Sequence, residues 1–209
     1  NKDIELLTNL GVHFIFAPSP EEMYTPEEMQ QPFSFDFNGL DKVMEGKMRP
    51  GHFNGVVQVV SRLFDLIQPT RAYFGEKDFQ QLAIIHHMVE SSDMKERFSN
   101  LQIIDCPIVR EESGLALSSR NQRLSDKEKY TAVNISKTLF ASVNWAKNAS
   151  VAEVQQQVID TINSVDGLEV EYYEIVDKTT LQPTTTFQNA IGCITVYCGP
   201  VRLIDNIQY

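Results

Sequence analysis

Phe74-Gly-Glu-Lys-Asp-Phe-Gln-Gln81 is the stretch on which the reading of this chain turns. A short apolar run, Ala72-Tyr-Phe74, leads into it, with Pro69 just upstream, and a run of helical period follows through Phe79, Leu82, Ile84, Ile85, Met88 and Val89. The spacing predicts a buried strand that turns into a helix across Gly75 to Asp78. In an open α/β sheet that is the end of the strands where ligands bind. Gly75, the cation of Lys77 and the free N–H groups of a helix start suit an anion, phosphate first of all. Glu76 and Asp78 would oppose a bare anion. They fit if they orient the lysine, a ribose hydroxyl or a metal ion that accompanies phosphates. The same octapeptide also reads as an ordinary helix start with Asp78 in its first turn.

Working upstream, Arg49 and His52 fall in Lys47-Met-Arg-Pro-Gly-His-Phe53, a loop that enters a helix running to Ile67. Val56, Val57, Val59, Val60, Leu63, Phe64 and Ile67 give that helix a broad face to pack on a sheet. A cation and a proton carrier at a helix entry, close in sequence to the 74–81 turn, make Arg49 and His52 candidates for the entrance of a site. Leu40 to Gly46 reads as a short helix with a glycine stop. Glu21 to Phe37 is polar and proline-bearing, a surface excursion. Asp3 to Leu10 is helix-like, with Gly11 as its stop, and Val12-His-Phe-Ile-Phe16 reads as a buried strand with His13 in a structural role. Helix then strand is the second half of a β-α-β unit, so the sequence is expected to begin within a domain.

Downstream, His86 and His87 lie in the last turns of the helix after Asp78 and are assigned to surface or helix-dipole roles. Leu101 to Val109 reads as another strand, interrupted by Pro107. Ser118-Ser-Arg-Asn121 then offers two hydroxyls, a guanidinium and an amide, the parts of an anion cradle, although the composition is common in loops. Ser125 with Glu128 matches a capping box and starts a helix to about Lys147. Ser150 caps another. Val170 to Val176, Ala190 to Cys198 and Val201 to Ile207 read as strands, the last two joined at Gly199-Pro200. Two helices and three strands make a small α+β domain with an antiparallel sheet. The division expected is therefore 1–109 and 110–209, with Ser118–Asn121 near the junction, a favoured place for ligands.

Composition bounds the rest. Apolar content of 42% and charged content of 22% are those of a chain that buries a core. A net charge of −10, from 28 acidic and 18 basic residues, argues against non-specific nucleic-acid or anionic-membrane partners. No apolar run reaches transmembrane length. Cys106, Cys193 and Cys198 show no metal spacing and read as buried free thiols.

Met48-Arg-Pro-Gly-His-Phe-Asn-Gly-Val56, Tyr73 to Leu82, Gly114-Leu-Ala-Leu-Ser-Ser-Arg-Asn121 and Arg202-Leu-Ile-Asp-Asn206, in this order, resemble the pantothenate synthetase (pantoate–β-alanine ligase) family. The resemblance implies a Rossmann-like nucleotidyltransferase domain with a parallel sheet and a smaller C-terminal α+β domain that lids the nucleotide. It implies a cytoplasmic homodimer that uses ATP, pantoate, β-alanine and Mg2+, by way of a pantoyl adenylate. Carried over by position, Lys77 is the catalytic cation. Gly75, Glu76, Asp78, Val109, Leu117, Ser118, Ser119 and Arg120 join it as ATP contacts, and Gln81 binds pantoate. The family's His-x-Gly-His signature and a second pantoate-binding glutamine are not in the sequence. The resemblance starts some way into the family's chain, so the 209 residues by themselves are expected to lack ligase activity. Two other classes fit the same motifs: a different nucleotidyltransferase of this superfold, and a nucleotide-binding module without turnover.

Overall fold

The computed structural model describes residues 2–30 and 33–209. It divides into two compact units, one running to Ser34 and one from Phe35 to Tyr209. The first holds α1 (Lys2–Asn9), α2 (Pro20–Met23) and α3 (Pro26–Gln30). The two short helices are started by their caps: Ser19 and Glu22 exchange hydrogen bonds of 2.8 and 3.4 Å, and Thr25 and Glu28 exchange bonds of 2.8 and 3.2 Å. The strand expected over Val12–Phe16 is absent, and the run, His13 included, is exposed except for a half-buried Ile15. An apolar run becomes a strand only with a hydrogen-bonding neighbour, and none of the described residues supplies one.

In the second unit the elements are α4 (Met44–Met48), α5 (His52–Ile67), β1 (Arg71–Gly75), a 3-10 turn at Glu76–Asp78, α6 (Phe79–Glu90) and β2 (Gln102–Cys106). A 3-10 turn at Ser119–Arg123, α7 (Asp126–Trp145), α8 (Val151–Asn163), β3 (Leu168–Asp177), β4 (Ala190–Cys198) and β5 (Val201–Gln208) follow. The class is α/β as the sequence implied: β1 and β2 pair in parallel, Arg71 opposite Gln102 and Gly75 opposite Cys106, while β3, β4 and β5 form an antiparallel meander. Ser125 and Ser150 both close capping boxes, with Glu128 and Glu153, and so fix where α7 and α8 begin.

Four local expectations are corrected. β1 is not buried: Tyr73 is 63% exposed, because β2 is its one strand neighbour among the described residues. Residues Leu40–Val43 are turns and Gly46 lies inside α4 rather than ending it. Its lack of a side chain lets the helix close on Asp41, whose carbonyl oxygen would stand 2.1 Å from any Cβ at 46. The buried face of α5 is narrow, Phe53, Val57, Ser61 and Phe64, with Val59 and Ile67 exposed. Cys193 and Cys198 are buried free thiols, whereas Cys106 is half-buried.

The main core lies between α7, α8 and the meander, around Leu139, Val154, Val158, Ile162, Ile194 and Val196. The loop before α4 is held by Gln80 of α6, whose Nε2 donates to Leu40 O (2.7 Å) and Val43 O (2.8 Å). Tyr173 packs its ring against Gly192, and its hydroxyl is 2.5 Å from that of Tyr209, which is 2.7 Å from Ser142 Oγ. A Cβ at 192 would meet Tyr173 Oη at 2.3 Å and Cζ at 2.8 Å. Gly192→Ala is therefore expected to destabilise the protein by about 1–3 kcal/mol through overpacking, read as a lower urea midpoint with an unchanged slope.

Candidate active site

The site is assembled from elements far apart in the chain. Glu45, Arg49, His52, Lys77, Asp78, Gln81, Arg120, Tyr172, Arg202 and Asn206 line one cleft. A second cavity adjoins it through Lys77, Asp78, Arg120 and Asp205 and is completed by Ser118 and Asn121. Lys77 and Arg120, two of the three cations singled out from sequence, thus stand where the two spaces meet, while Arg49 lines the first alone.

β5 organises this wall. Alternation sends Val201 and Leu203 into the core, while Arg202, Ile204 and Asn206 face the cleft. Arg202 donates to Glu45 through Nη2 (2.6 Å) and Nη1 (3.0 Å), and to Glu171 through Nε (2.8 Å). Glu45 Oε1 also accepts from Tyr172 Oη at 3.0 Å and from Thr195 Oγ1 at 3.3 Å. The Arg202 carbonyl accepts from Arg120 Nη1 at 2.9 Å and so aims that guanidinium. Asp205 takes Arg110 in a bidentate pair of 2.7 and 2.9 Å. Asn206 Nδ2 donates to the carbonyls of Glu76 (2.7 Å) and Lys77 (3.1 Å).

Burial pushes the Lys77 pKa down, with the nearby Arg120 charge acting the same way and Asp78 and Asp205 opposing. Burial also lowers His52, aided by Arg49, whose Nη1 lies 3.3 Å from His52 Nε2. The imidazole is therefore neutral near pH 7 and can accept from Arg49. Burial raises Glu45, but the hydrogen bonds and charge of Arg202, with Tyr172 and Thr195, outweigh it and hold the carboxyl below its usual range. The Cys193 thiol, also at the cleft, is pushed up to about 12 by burial and the surrounding carboxylates. It is no nucleophile at neutral pH.

Of the remaining residues named from sequence, Gly75 lies just outside the cleft and Glu76 faces a separate groove. Val109 and Leu117 are exposed and tied to each other, Leu117 N–H donating to Val109 O at 2.9 Å. Ser118 Oγ accepts from Arg120 N at 3.2 Å, and Ser119 is exposed. Glu45, Arg110 and Tyr172 carry no signal in the sequence, and Cys193 reads there only as a buried thiol. Arg202, Asp205 and Asn206 belong to a family-like motif to which the sequence assigns no role. The available signal was three polar residues in a six-residue strand run otherwise made of Val, Leu and Ile.

The sequence profile of the family described as pantoate-beta-alanine ligase matches residues 1–208. The chain belongs to the pantoate–β-alanine ligase family. This ligase chain is 58% identical over 210 residues to the pantothenate synthetase of Phocaeicola vulgatus, covering 99% of this chain and 72% of that protein. The enzyme of Bacteroides thetaiotaomicron is 55% identical over the same coverage. Among solved structures, pantothenate synthetase from Thermus thermophilus superposes with a TM-score of 0.84 at 38% identity, covering 99% of this chain and 73% of that one. The ligase of Francisella tularensis, solved with β-γ ATP and β-alanine, superposes at 0.73 with 32% identity, 99% and 69% covered. The ligase family joins pantoate to β-alanine in making pantothenate, a coenzyme A precursor.

Arg202→Ala would leave Glu45 and Glu171 facing each other with 16% of each side chain exposed. The expected loss is about 3 kcal/mol near pH 7. Glu45 has a depressed folded pKa, so its contribution is present above the unfolded value near 4.5 and lost as pH falls through the folded value. The gap between wild type and variant in urea denaturation should accordingly narrow as the solution is acidified.

Proposed function

We propose that the cleft around Lys77 and Arg120 carries an ATP-dependent condensation in two steps. A pantoate carboxylate oxygen attacks the α-phosphorus of ATP, and the bond to the departing pyrophosphate breaks. The β-alanine amine then attacks the acyl carbon of the pantoyl adenylate, loses its proton to solvent, and AMP leaves with the bonding electron pair. Both steps bring anions together, so the protein's share is positioning and fixed positive charge. The observation that supports this reading best is the meeting of Lys77 and Arg120 at the seam of two cavities, each held by β5.

Lys77 is the catalytic cation on the phosphates as pyrophosphate leaves. Gln81, on the next turn of α6, binds pantoate in the same cleft. Gly75, Glu76, Asp78, Val109, Leu117, Ser118, Ser119 and Arg120 contribute the nucleotide contacts. Arg49 and His52 stand at the entrance, the histidine neutral and oriented by the arginine. Magnesium fits this donor set as a passenger of the triphosphate, since Glu45 and Asp205 are committed to arginines and Asp78 is the cleft carboxylate left for it. Bound there, the ion would offset phosphate charge. Residues 1–109 and 110–209 act as nucleotide-binding domain and lid, in a cytoplasmic homodimer. Among the described residues no helix is long and apolar enough to cross a membrane.

The test is pantoate-dependent ATP–pyrophosphate exchange, with AMP release on adding β-alanine, in the complete natural chain. Lys77→Ala should lower exchange by roughly 10²–10³-fold; exchange that ignores pantoate, or survives this substitution, overturns the reading. Because burial lowers Lys77, kcat/KM for ATP should fall with rising pH earlier than a free lysine would dictate, and Lys77→Arg should remove that limb. Gly75 has an ordinary φ of −75° and a Cβ there would meet nothing within 4 Å. Gly75→Ala should thus spare stability and raise the KM for ATP if the nucleotide uses that room.

A further inference from the structure

The amide of Asn206 has two protons, and both are spent on consecutive carbonyls of the phosphate turn, Glu76 O at 2.7 Å and Lys77 O at 3.1 Å. In a trans peptide the C=O and the following N–H point in opposite directions across one rigid plane. Holding those two carbonyls therefore fixes the N–H groups of Lys77 and Asp78 and the point from which the Lys77 side chain leaves the backbone. The anchor is itself immobile. Asn206 is 4% exposed, its N–H donates to Asp205 Oδ1 at 2.8 Å, and β5 pairs it with Cys193 on β4. The 3-10 turn has no side-chain cap of its own, so the captured carbonyls are a restraint on it from outside the local chain.

We propose that Asn206 is a positioning residue for the adenylation step, acting through Lys77 and not by touching substrate. The inference rests on Lys77 being the cation at the departing pyrophosphate. It predicts an asymmetry between the two half-reactions: pyrophosphate leaves only in the first, so a displaced Lys77 harms that step alone. Asn206→Asp keeps the shape, removes both donors and sets a carboxylate against two carbonyl oxygens. Pantoate-dependent ATP–pyrophosphate exchange should fall at least 30-fold with little change in the KM for pantoate, an order chosen from the loss of one preorganised donor. Pantothenate formation from added pantoyl adenylate and β-alanine should stay within about 3-fold of wild type, since it makes no use of that donor.

Asn206→Ala, which removes the amide without adding charge, must show the same split and serves if the aspartate variant does not fold. Equal losses in both half-reactions, or an unchanged exchange rate, overturn the proposal. So does failure of both variants to fold, which would make Asn206 a structural residue. Lys77→Ala is run beside them: if it leaves exchange intact, the role of Lys77 is what fails, whatever Asn206 does.

Discussion

Arg202 is clasped between two carboxylates, Glu45 on α4 and Glu171 on β3, and hydroxyls of Tyr172, Thr195 and Tyr197 complete the cluster. α4 is five residues long and its N-cap makes no side-chain hydrogen bond, so it cannot hold itself as an isolated helix. Its place is set by Arg202 at one end and by Gln80 on the preceding loop at the other. Ion pairs withdrawn from water add little over an apolar packing of the same volume, because desolvation offsets the attraction. What they impose here is geometry. A planar guanidinium accepts carboxylates only in its own fork, and that fixes the distance between α4 and the meander. Arg49 and His52 follow directly after α4, so the entrance of the cleft inherits its position from the same cluster.

Charge is arranged by subtraction. The chain carries a net −10, yet two carboxylates of the cleft are already matched: Glu45 by Arg202 and Asp205 by Arg110. Lys77 and Arg120 line both cavities of the cleft. Surface acidity is screened within a Debye length of roughly 8–10 Å, whereas a half-buried cation is not. Lys77 is held where its own charge is disfavoured by burial, so an anion placed beside it would relieve a cost that the folded protein already bears. By linkage, such an anion would bind more tightly to the protonated lysine and would raise its pKa in turn.

What was legible in the sequence was what is local. The strand–turn–helix at 71–90, the capping boxes at Ser125 and Ser150 and the β4–β5 turn are each written within a few residues, by period, cap or glycine. Lys77 and Arg120 stand out for the same reason, since their turns are local, whereas Gln81, inside α6, is marked only by the family resemblance. Val12–Phe16 carries the pattern of a buried strand, but the pattern says nothing of the neighbour that makes a strand. Gly46 was read as a helix stop because glycine at that place usually is one; its use as a point of close approach to Asp41 depends on the folded backbone. Glu45 had no signal at all, because its meaning lies in a partner 157 positions away.

Those separations have a kinetic side. The contacts that complete the Glu76–Asp78 turn join residues 129 and 130 apart, and the α4 contact spans 157. Closing a loop of that length costs about 4 kcal/mol in chain entropy on the three-halves RT ln n scaling. Such contacts form after the helices and hairpins that need no long closure. The turn can fold early, as a local strand–helix junction, and still have no reference for its peptide planes until the last strand docks. The geometry of the turn is thereby tied to completion of the second unit's fold, and a partly folded chain would expose the turn without it. Ligand held between the turn and β5 would, in turn, resist the opening of the longest loops in the unit, and so protect the fold as a whole rather than the site alone.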